Sequence, residues 1–523
     1  MTATATYVPR LLPPRLPRIC VAITGSSGAE MVARAQAVVR DNPFIEFRLD
    51  YIRKPATGLP RIKAFLEYHP DVLAIATCRR AVNGGKFRGS VAAEIALLTR
   101  AAAHGCQLVD LELASAAKAD PEDLSRLRSQ AALILSHHDF KATRKLEQTF
   151  EKMRAIPADF YKLVTTAKCL ADNVTMMKFL EQKAEKYSMV GVCMGEQGII
   201  SRVLGVRAGS VFTFAAASAG EETAPGQITG RTLLDVYRLN LVDAATRVYG
   251  VAGDPIEHSL SPHIMNAAFR RESVNAVYLA LHARTLTDLL TCVRDIPIHG
   301  LSITMPYKEV ILKHLDNTDA VTAKIGACNT VIRAQDGKLY GFNTDVAGVI
   351  RPLEQRLPIG GAKVLVLGAG GAARAAVFGL KERHAEVYVL NRTPTAGKRL
   401  AKQARARYLR RSELKKMQFD AIVNATPVGM GSGRQSPLKD NEVNARVVFE
   451  MVYVPAETRL VKQARARGAQ VILGWEMLIH QAARQFEIWT GKPAPLDEIQ
   501  RTMLRALEAR AAAEKGKKKK KRK

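Results

Sequence analysis

Acidic residues are scarce in this 523-residue chain: 49 Asp and Glu stand against 78 Lys and Arg, a formal net charge of +29. Such an imbalance suits a nucleic-acid binder, but its distribution does not. Eight of the positive charges fall in the last nine residues, KGKKKKKRK, leaving +21 over the remainder. Elsewhere Lys and Arg are spread through amphipathic helical stretches, with no zinc-finger, RRM-like or helix-turn-helix pattern, so no dedicated nucleic-acid function is expected. The tail, 513–523, reads as solvated and disordered. Cysteine is sparse too: the seven, at 20, 78, 106, 169, 193, 292 and 328, show no CxxC spacing. That argues against a disulfide framework or a zinc site, and a reducing cytoplasm is the expected setting. No metal is expected. No apolar run approaches the roughly 20 residues a membrane helix needs. The opening, MTATATYVPRLLPPRLPR, has no apolar signal core and reads as a disordered lead-in over 1–17.

What the chain does have is 47% hydrophobic residues and enough length for two to four domains, each with its own core. Residues 18–245 alternate short β-branched runs with helical stretches. The strand candidates are 19–24, 44–49, 72–77, 107–111, 132–136, 161–165, 189–193 and 210–214. Helix-compatible stretches such as 30–41, 92–104 and 146–155 lie between them. Eight strand–helix repeats in one segment predict a closed (β/α)8 barrel. A second start at RVYGVAG (247–253) opens a less regular α/β segment, 247–355. PIGGA (358–362) links it to a strand–glycine turn–helix–strand unit within 356–474. Helices over 477–491 and 496–514 are placed to pack back on the 247–355 region, so 475–512 is assigned with it. The fold class is α/β: a barrel, an α/β substrate domain and a Rossmann-type cofactor domain.

Residues 301–345 hold the densest chemistry: LSITMPYKEVI, GACNTV and GFNTD place an amine (Lys308), an amide (Asn329) and a carboxylate (Asp345) beside strand-like runs. Just downstream, GAGGAAR (368–374) fits G-x-G-x-x-A after a strand and before a helix. Its residues Gly368, Ala369, Gly370, Gly371 and Ala372 allow backbone N–H groups to approach a pyrophosphate at the helix N-terminus. About 20 residues on, where NAD-binding turns carry a ribose-binding carboxylate, the chain reads Asn391-Arg392-Thr393. A carboxylate would repel a 2′-phosphate, whereas an arginine and a hydroxyl attract one, so the expected cofactor is NADP(H). A Lys–Asp pair upstream of such a turn is what hydride transfer to a carbonyl requires. Taken singly, a loop lysine is a solvated charge and an Asp after Asn-Thr is a turn or cap.

The ordered set HSLSPHIMN, ITMPYK, GACNT, GFNTD, GAGGAAR, NRT, NATPVGM and GWEMLIHQ, over about 250 residues, resembles the shikimate dehydrogenase family. The resemblance implies NADP-dependent reduction of 3-dehydroshikimate to shikimate, with Lys308 and Asp345 as the catalytic pair. It also implies that Ser259 and Ser261 hold the substrate carboxylate, and that Thr304, Asn329, Tyr453 and Gln481 bind ring hydroxyls. The resemblance further implies cofactor contacts at Thr426, Met451 and Gly474. Glu450 stands where that family more often has Asp, a change expected to be harmless.

In the first half, polar residues gather at the expected C-terminal strand ends, where barrel active sites form. Glu46 and Arg48 lie on strand 2, and Arg79 follows strand 3. His138 follows strand 5, Lys162 lies on strand 6, Arg202 follows strand 7, and Thr223 and Gln227 follow strand 8. A lysine inside a barrel strand buries its charge unless it has a task. At the ordinary pKa of about 10.4, well under 0.1% is free amine at neutral pH; lowering that by about three units costs roughly 4 kcal/mol, within reach of partial burial and nearby arginines. A neutral amine attacks a ketone to form an imine, an electron sink for removing the adjacent proton, which His138 is suited to move. EFRLD, TCRR, SHHDF, YKLV, ISR and TAPGQI resemble type I 3-dehydroquinate dehydratase over about 210 residues. This implies Lys162 as the Schiff-base residue and His138 as the acid/base. Glu46, Arg48, Arg79, Arg202, Thr223 and Gln227 would be binding groups, with Thr223 replacing a usual serine. That family pairs the histidine with a Glu where this chain has Asn83; another carboxylate could substitute.

The two implied reactions are consecutive, dehydration making what reduction consumes. Expected partners are therefore small-molecule substrates, with no membrane, in a monomer or homodimer. Two other readings stay open: a quinate-type dehydrogenase fused to a weakened dehydratase, and a basic nucleic-acid-associated protein with an inactive barrel.

Overall fold

The structure, a computed structural model, describes residues 12–256 and 259–520, with side chains described to 512. It divides into two compact units, Met1–Thr246 with Leu281–Pro297, and Arg247–Ala280 with Ile298–Lys523.

The first unit is built on eight strands: β1 Ile19–Ile23, β2 Phe44–Arg48, β3 Leu73–Thr77, β4 Leu108–Glu112, β5 Ala132–His138, β6 Phe160–Thr166, β7 Met189–Met194 and β8 Thr213–Ala216. They pair in sequence from β1 to β7, all parallel, and β8 returns to β1. Val211 N–H donates to Met189 O at 2.8 Å across the remaining gap. Successive strand residues point to opposite faces, so every second residue lines the barrel interior. Read that way, the strands share one gradient. Phe44, Leu73, Leu108, Ala132, Phe160 and Phe212 fill the N-terminal end with an apolar cluster. Two to six residues further on stand Glu46, Arg48, Thr77, Arg79, Asp110, Glu112, Ser136 and Lys162, all buried. The strand sequences therefore make a closed apolar floor and a charged mouth.

Three expectations need correction. Leu12 and Leu16 pack against the floor, so the lead-in is anchored at least from residue 12 because it covers apolar side chains; residues 1–11 lie outside the described set. Strand 8 starts at Thr213 rather than 210, because Ser210 Oγ is spent joining Gly191 N (3.2 Å) to Phe212 O (2.9 Å). The last helix runs Leu496–Lys520, into the tail expected to be disordered. Alanine and lysine are good helix formers, and no proline stops the run; residues 521–523 lie outside the described set.

The first unit also holds 281–297. There the Asp288 carboxylate accepts hydrogen bonds from Leu170 N (2.8 Å) and Ala171 N (3.0 Å), at the start of helix Leu170–Lys183.

The second unit has two sheets. One comprises β9 Arg247–Gly253, β10 Ala276–His282, β11 Ile298–Ile303, β12 Asn317–Thr318, β13 Thr330–Arg333 and β14 Leu339–Phe342, in the order β10-β9-β11-β13-β14-β12. The other comprises β15 Lys363–Leu367, β16 Glu386–Leu390, β17 Arg407–Tyr408, β18 Phe419–Asn424, β19 Ala445–Glu450 and β20 Gln470–Ile472. It is wholly parallel, in the order β17-β16-β15-β18-β19-β20. That is a doubly wound sheet, whose order reverses between β15 and β18; ligands of such sheets sit at that crevice, outside the strand C-termini. Helix Gly474–Thr490 packs in one cluster with helix Ser261–Arg271.

Candidate active sites

At the barrel mouth, Lys162 on β6 is 4% exposed. Its Nζ pairs with Asp110 Oδ2 on β4 at 2.7 Å and lies 3.8 Å above the Phe214 ring. Asp110 also accepts from Arg79 Nη2 and from Ser136 Oγ, each at 2.6 Å. These cations hold its carboxyl well below the ordinary range despite complete burial. Arg79 reaches Glu112 as well. Neither carboxylate is among the residues expected from the sequence, where arginines alone stand beside the lysine. Their signal is the alternation in LVDLE: Leu108, Asp110 and Glu112 share the interior face of β4.

His138 is the last residue of β5 rather than the residue after it. Its Nδ1 is 2.8 Å from Glu112 Oε2, and its backbone N donates to Glu112 Oε1 at 3.0 Å. Arg79 Nη1 lies 2.7 Å from the same Nδ1. Burial, then the Arg79 charge, push the imidazole pKa down to about 4, against the pull of Glu112. Asn83 does not partner the histidine; its buried Nδ2 has no hydrogen bond among the described residues. Glu112 supplies the carboxylate that Asn83 cannot.

The remaining predicted residues surround this group. Arg48 forms a two-pronged pair with Asp50, at 3.0 Å each. Glu46 Oε1 accepts from Thr77 Oγ1 at 2.6 Å. Thr223 donates to Gln227 Oε1 through its N (2.7 Å) and Oγ1 (3.2 Å). Arg202 differs from the others: it is 1% exposed, its Nε has no partner among the described residues, and Nη2 donates to Pro225 O at 3.1 Å. Burial pulls its pKa down to about 10. A buried guanidinium without a counter-ion is costly unless an anion completes it.

In the second unit, Lys308 Nζ and Asp345 Oδ2 are in direct contact. Asn329 Nδ2 donates to Asp345 Oδ1 (2.8 Å) and lies 3.4 Å from Gln481 Oε1. Lys308, Asn329, Asp345 and Gln481 therefore form one group. Thr304 directly follows β11. Ser259 Oγ accepts from Ser261 N at 3.3 Å, at the start of helix Ser261–Arg271. Tyr453 lies against the apolar cluster of that helix and Gly474–Thr490. A relay missed in the sequence joins these parts. Tyr278 hydroxyl donates to Ser302 Oγ (2.6 Å), which donates to Gln485 Oε1 (2.7 Å). Gln485 Nε2 in turn reaches Thr330 Oγ1 (3.0 Å) and Asn329 O (3.3 Å). Gln485 sits one helical turn from Gln481, a spacing that puts both on one face.

The glycine turn leaves β15 at Gly368, whose φ is +114°. A Cβ at Gly370 would meet nothing within 4 Å, whereas one at Gly371 would touch Lys308 at 3.1–3.2 Å. Ala369 and Ala372 flank them, and the helix begins at Gly371. At the end of β16, Asn391 Nδ2 bonds Thr393 O at 3.0 Å. Arg392 is exposed and has no protein partner among the described residues. Thr426 Oγ1 donates to Asn424 Oδ1 (2.7 Å), Met451 N donates to Asn424 O (3.1 Å), and a Cβ at Gly474 would lie 2.4 Å from Met451 O. An open glycine, a helix N-terminus and a free guanidinium fit a dinucleotide with a 2′-phosphate.

Family models match the chain in order: type I 3-dehydroquinase over residues 19–243, the shikimate dehydrogenase substrate binding domain over 251–331, shikimate/quinate 5-dehydrogenase over 353–436, and the shikimate 5′-dehydrogenase C-terminal domain over 474–504. The bifunctional chloroplastic 3-dehydroquinate dehydratase/shikimate dehydrogenase of Arabidopsis thaliana is 32% identical over 91% of this chain and 82% of its own length. The chain belongs to the bifunctional 3-dehydroquinate dehydratase/shikimate dehydrogenase family. Within this family's dehydrogenase half, the NADP(+) shikimate dehydrogenase of Nitrosopumilus maritimus is 38% identical over 49% of this chain and 98% of its own length. A solved shikimate 5-dehydrogenase of Thermus thermophilus, in complex with NADP(H) and shikimate, is 34% identical with a TM-score of 0.47, covering 50% of this chain and all of that one. Among the described residues no helix is long and apolar enough to cross a membrane.

Proposed function

We propose that residues 18–245 dehydrate 3-dehydroquinate to 3-dehydroshikimate, and that 247–355 with 475–512 bind this product for reduction to shikimate beside a cofactor lobe, 356–474. The observation that carries the reading is the pair of amine–carboxylate sites, Lys162 with Asp110, both buried, and Lys308, part-buried, with the buried Asp345. In the barrel, Lys162 gives a proton to the neutral His138, its free amine attacks the substrate ketone, and the carbinolamine oxygen leaves as water with that proton returned from the imidazole, giving an iminium. His138, neutral because its pKa is depressed, removes the adjacent proton, and the electron pair expels the neighbouring hydroxyl with a proton from the same imidazole. Hydrolysis frees the lysine. Arg202 receives the substrate carboxylate; Glu46, Arg48, Arg79, Thr223 and Gln227 receive hydroxyls or hold the groups that do.

In the second unit, Ser259 and Ser261 hold the carboxylate, and Thr304, Asn329, Tyr453 and Gln481 hold the ring hydroxyls. Gly368 to Ala372, Asn391, Arg392, Thr393, Thr426, Met451 and Gly474 hold NADP(H), which supplies the hydride. Lys308 donates its proton to the forming alkoxide while Asp345 orients the lysine and the hydroxyl. Each site is assembled from one chain, so a monomer or homodimer suffices. Seven free cysteines suit a reducing compartment, and the cytoplasm is the proposed one.

Borohydride added during dehydration should trap a covalent adduct on Lys162 and abolish dehydration while reduction continues. An adduct on another lysine, or near-normal dehydration in Lys162→Ala, would remove the imine assignment.

A further inference from the structure

The last residue of GAGGAAR has no part in the site so far. Arg374 lies one turn into helix Gly371–Glu382 and is 8% exposed. Its Nε donates to Ile325 O at 2.5 Å and its Nη1 to Gln403 Oε1 at 2.9 Å. Ile325 ends helix Ala320–Ile325 and is followed by Gly326, whose φ of +67° turns the chain into Ala327, Cys328 and Asn329. A Cβ on Gly326 would lie 2.9 Å from Arg374 Nη2, so the turn is seated on the guanidinium. Two residues further, Cys328 N donates to Lys308 O at 2.7 Å, and Asn329 reaches Asp345 at 2.8 Å. Gln403 ends helix Pro394–Gln403, which starts just after Arg392 and Thr393. One planar fork thus joins the helix of the glycine turn, the helix behind the 2′-phosphate residues and the turn carrying Asn329.

The geometry points to Arg374 as a positioning residue that fixes where the cofactor-binding turn stands relative to Lys308, Asn329 and Asp345. It rests on the reading of this site as an NADP(H)-dependent reductase. Gly371 already packs on the Lys308 side chain, so a slip of the helix moves the hydride donor and the proton donor apart. A misplacement of about 1 Å can cost about 10²-fold in rate. Lysine is no substitute, because a single ammonium cannot span two acceptors fixed in different directions.

The test uses the full chain with Arg374→Ala and Arg374→Lys. It measures kcat and KM for 3-dehydroshikimate reduction, and the isotope effect with NADPH deuterated at the transferred position. Dehydratase activity is the control for an intact barrel. The account expects kcat to fall about 10- to 100-fold in Arg374→Ala, KM for NADPH to change less than about 3-fold, and the isotope effect to rise as hydride transfer becomes rate-limiting. Arg374→Lys should recover only part of the loss. Should Arg374→Ala fail to fold, Gln403→Leu removes one arm alone and should give a smaller drop in kcat with the same rise in isotope effect. Wild-type kcat and isotope effect in the folded variants would overturn the inference and leave the function standing. A change confined to KM would overturn it too, making Arg374 a binding contact. A wild-type chain that does not reduce 3-dehydroshikimate with NADPH would overturn both.

Discussion

Glu112 fastens His138 at two points, the ring Nδ1 and the backbone N, and its charge is one of the forces raising an imidazole pKa that burial and Arg79 hold near 4. The base form is lost only as pH falls through that value. The dehydratase rate should therefore keep its acid limb near pH 4 rather than near the ordinary histidine value. Glu112→Gln removes an upward pull, so the limb should move lower still while kcat falls about 10- to 100-fold from the looser ring. An acid limb near 6.5, or one unmoved in Glu112→Gln, would contradict this arrangement. In the other site, Lys308→Ala and Asp345→Asn should each lower the reductase kcat by about 10²–10⁴, and the double variant should fall far short of the product of the two losses. Wild-type turnover in either single variant would make the pair structural. Legibility at this scale followed chemistry more than depth. Lys162 stands out because a charge in an apolar strand demands a reason, whereas Lys308 and Asp345, bland taken singly, stand out only within the ordered set of motifs. Asp110 and Glu112 occupy the same face of β4, but the strand expected at 107–111 stops short of Glu112, and only the alternation carried one residue further sets both carboxylates inward. Tyr278, Ser302 and Gln485 carry no local signature and meet only through the fold.

The ends of the strands carry the second set of consequences. Glu450 closes β19 and is fully buried, accepting from Asn424 Nδ2 (2.8 Å), Val452 N (3.0 Å) and Thr458 Oγ1 (2.8 Å), with no cation among these partners. Burial raises its pKa to about 7. The folded chain then holds a proton that the unfolded chain has released, so between about 4.5 and 7 the stability of this sheet falls as pH rises. Complete ionisation costs roughly 3 kcal/mol. Glu450→Gln keeps an acceptor for Asn424 and Val452 and an NH2 for Thr458 Oγ1. It should stabilise the cofactor lobe by about 1–2 kcal/mol at pH 8 and flatten that pH dependence. Thermal unfolding across pH 5–8 tests this; an equal loss of stability at every pH would show that the carboxylate itself is required. Element boundaries were readable where β-branched runs meet helical periodicity, as at Leu146–Arg154. They were not readable where a side chain competes with the ladder, as Ser210 does before β8. Composition also misled at both ends: the leucines of the proline-rich opening have a floor to cover, and a run of lysines continues a helix that alanines began.

At the scale of the molecule, each unit assembles a complete set of reactive groups from its own residues. Lys162, His138, Asp110, Glu112 and Arg202 belong to the first, and Lys308, Asp345, Asn329, Gln481 and the glycine turn to the second. The two chemistries should therefore fail independently. The most direct measurement follows NADPH oxidation by the purified full chain, started either with 3-dehydroquinate or with 3-dehydroshikimate. The account predicts oxidation from both substrates in the wild-type chain. In Lys162→Ala, oxidation from 3-dehydroquinate should vanish while that from 3-dehydroshikimate persists. In Lys308→Ala, 3-dehydroshikimate should accumulate from 3-dehydroquinate while NADPH oxidation slows by about 10²–10⁴. Oxidation from 3-dehydroquinate that survives Lys162→Ala, or a wild-type chain that oxidises NADPH with neither substrate, would contradict the account.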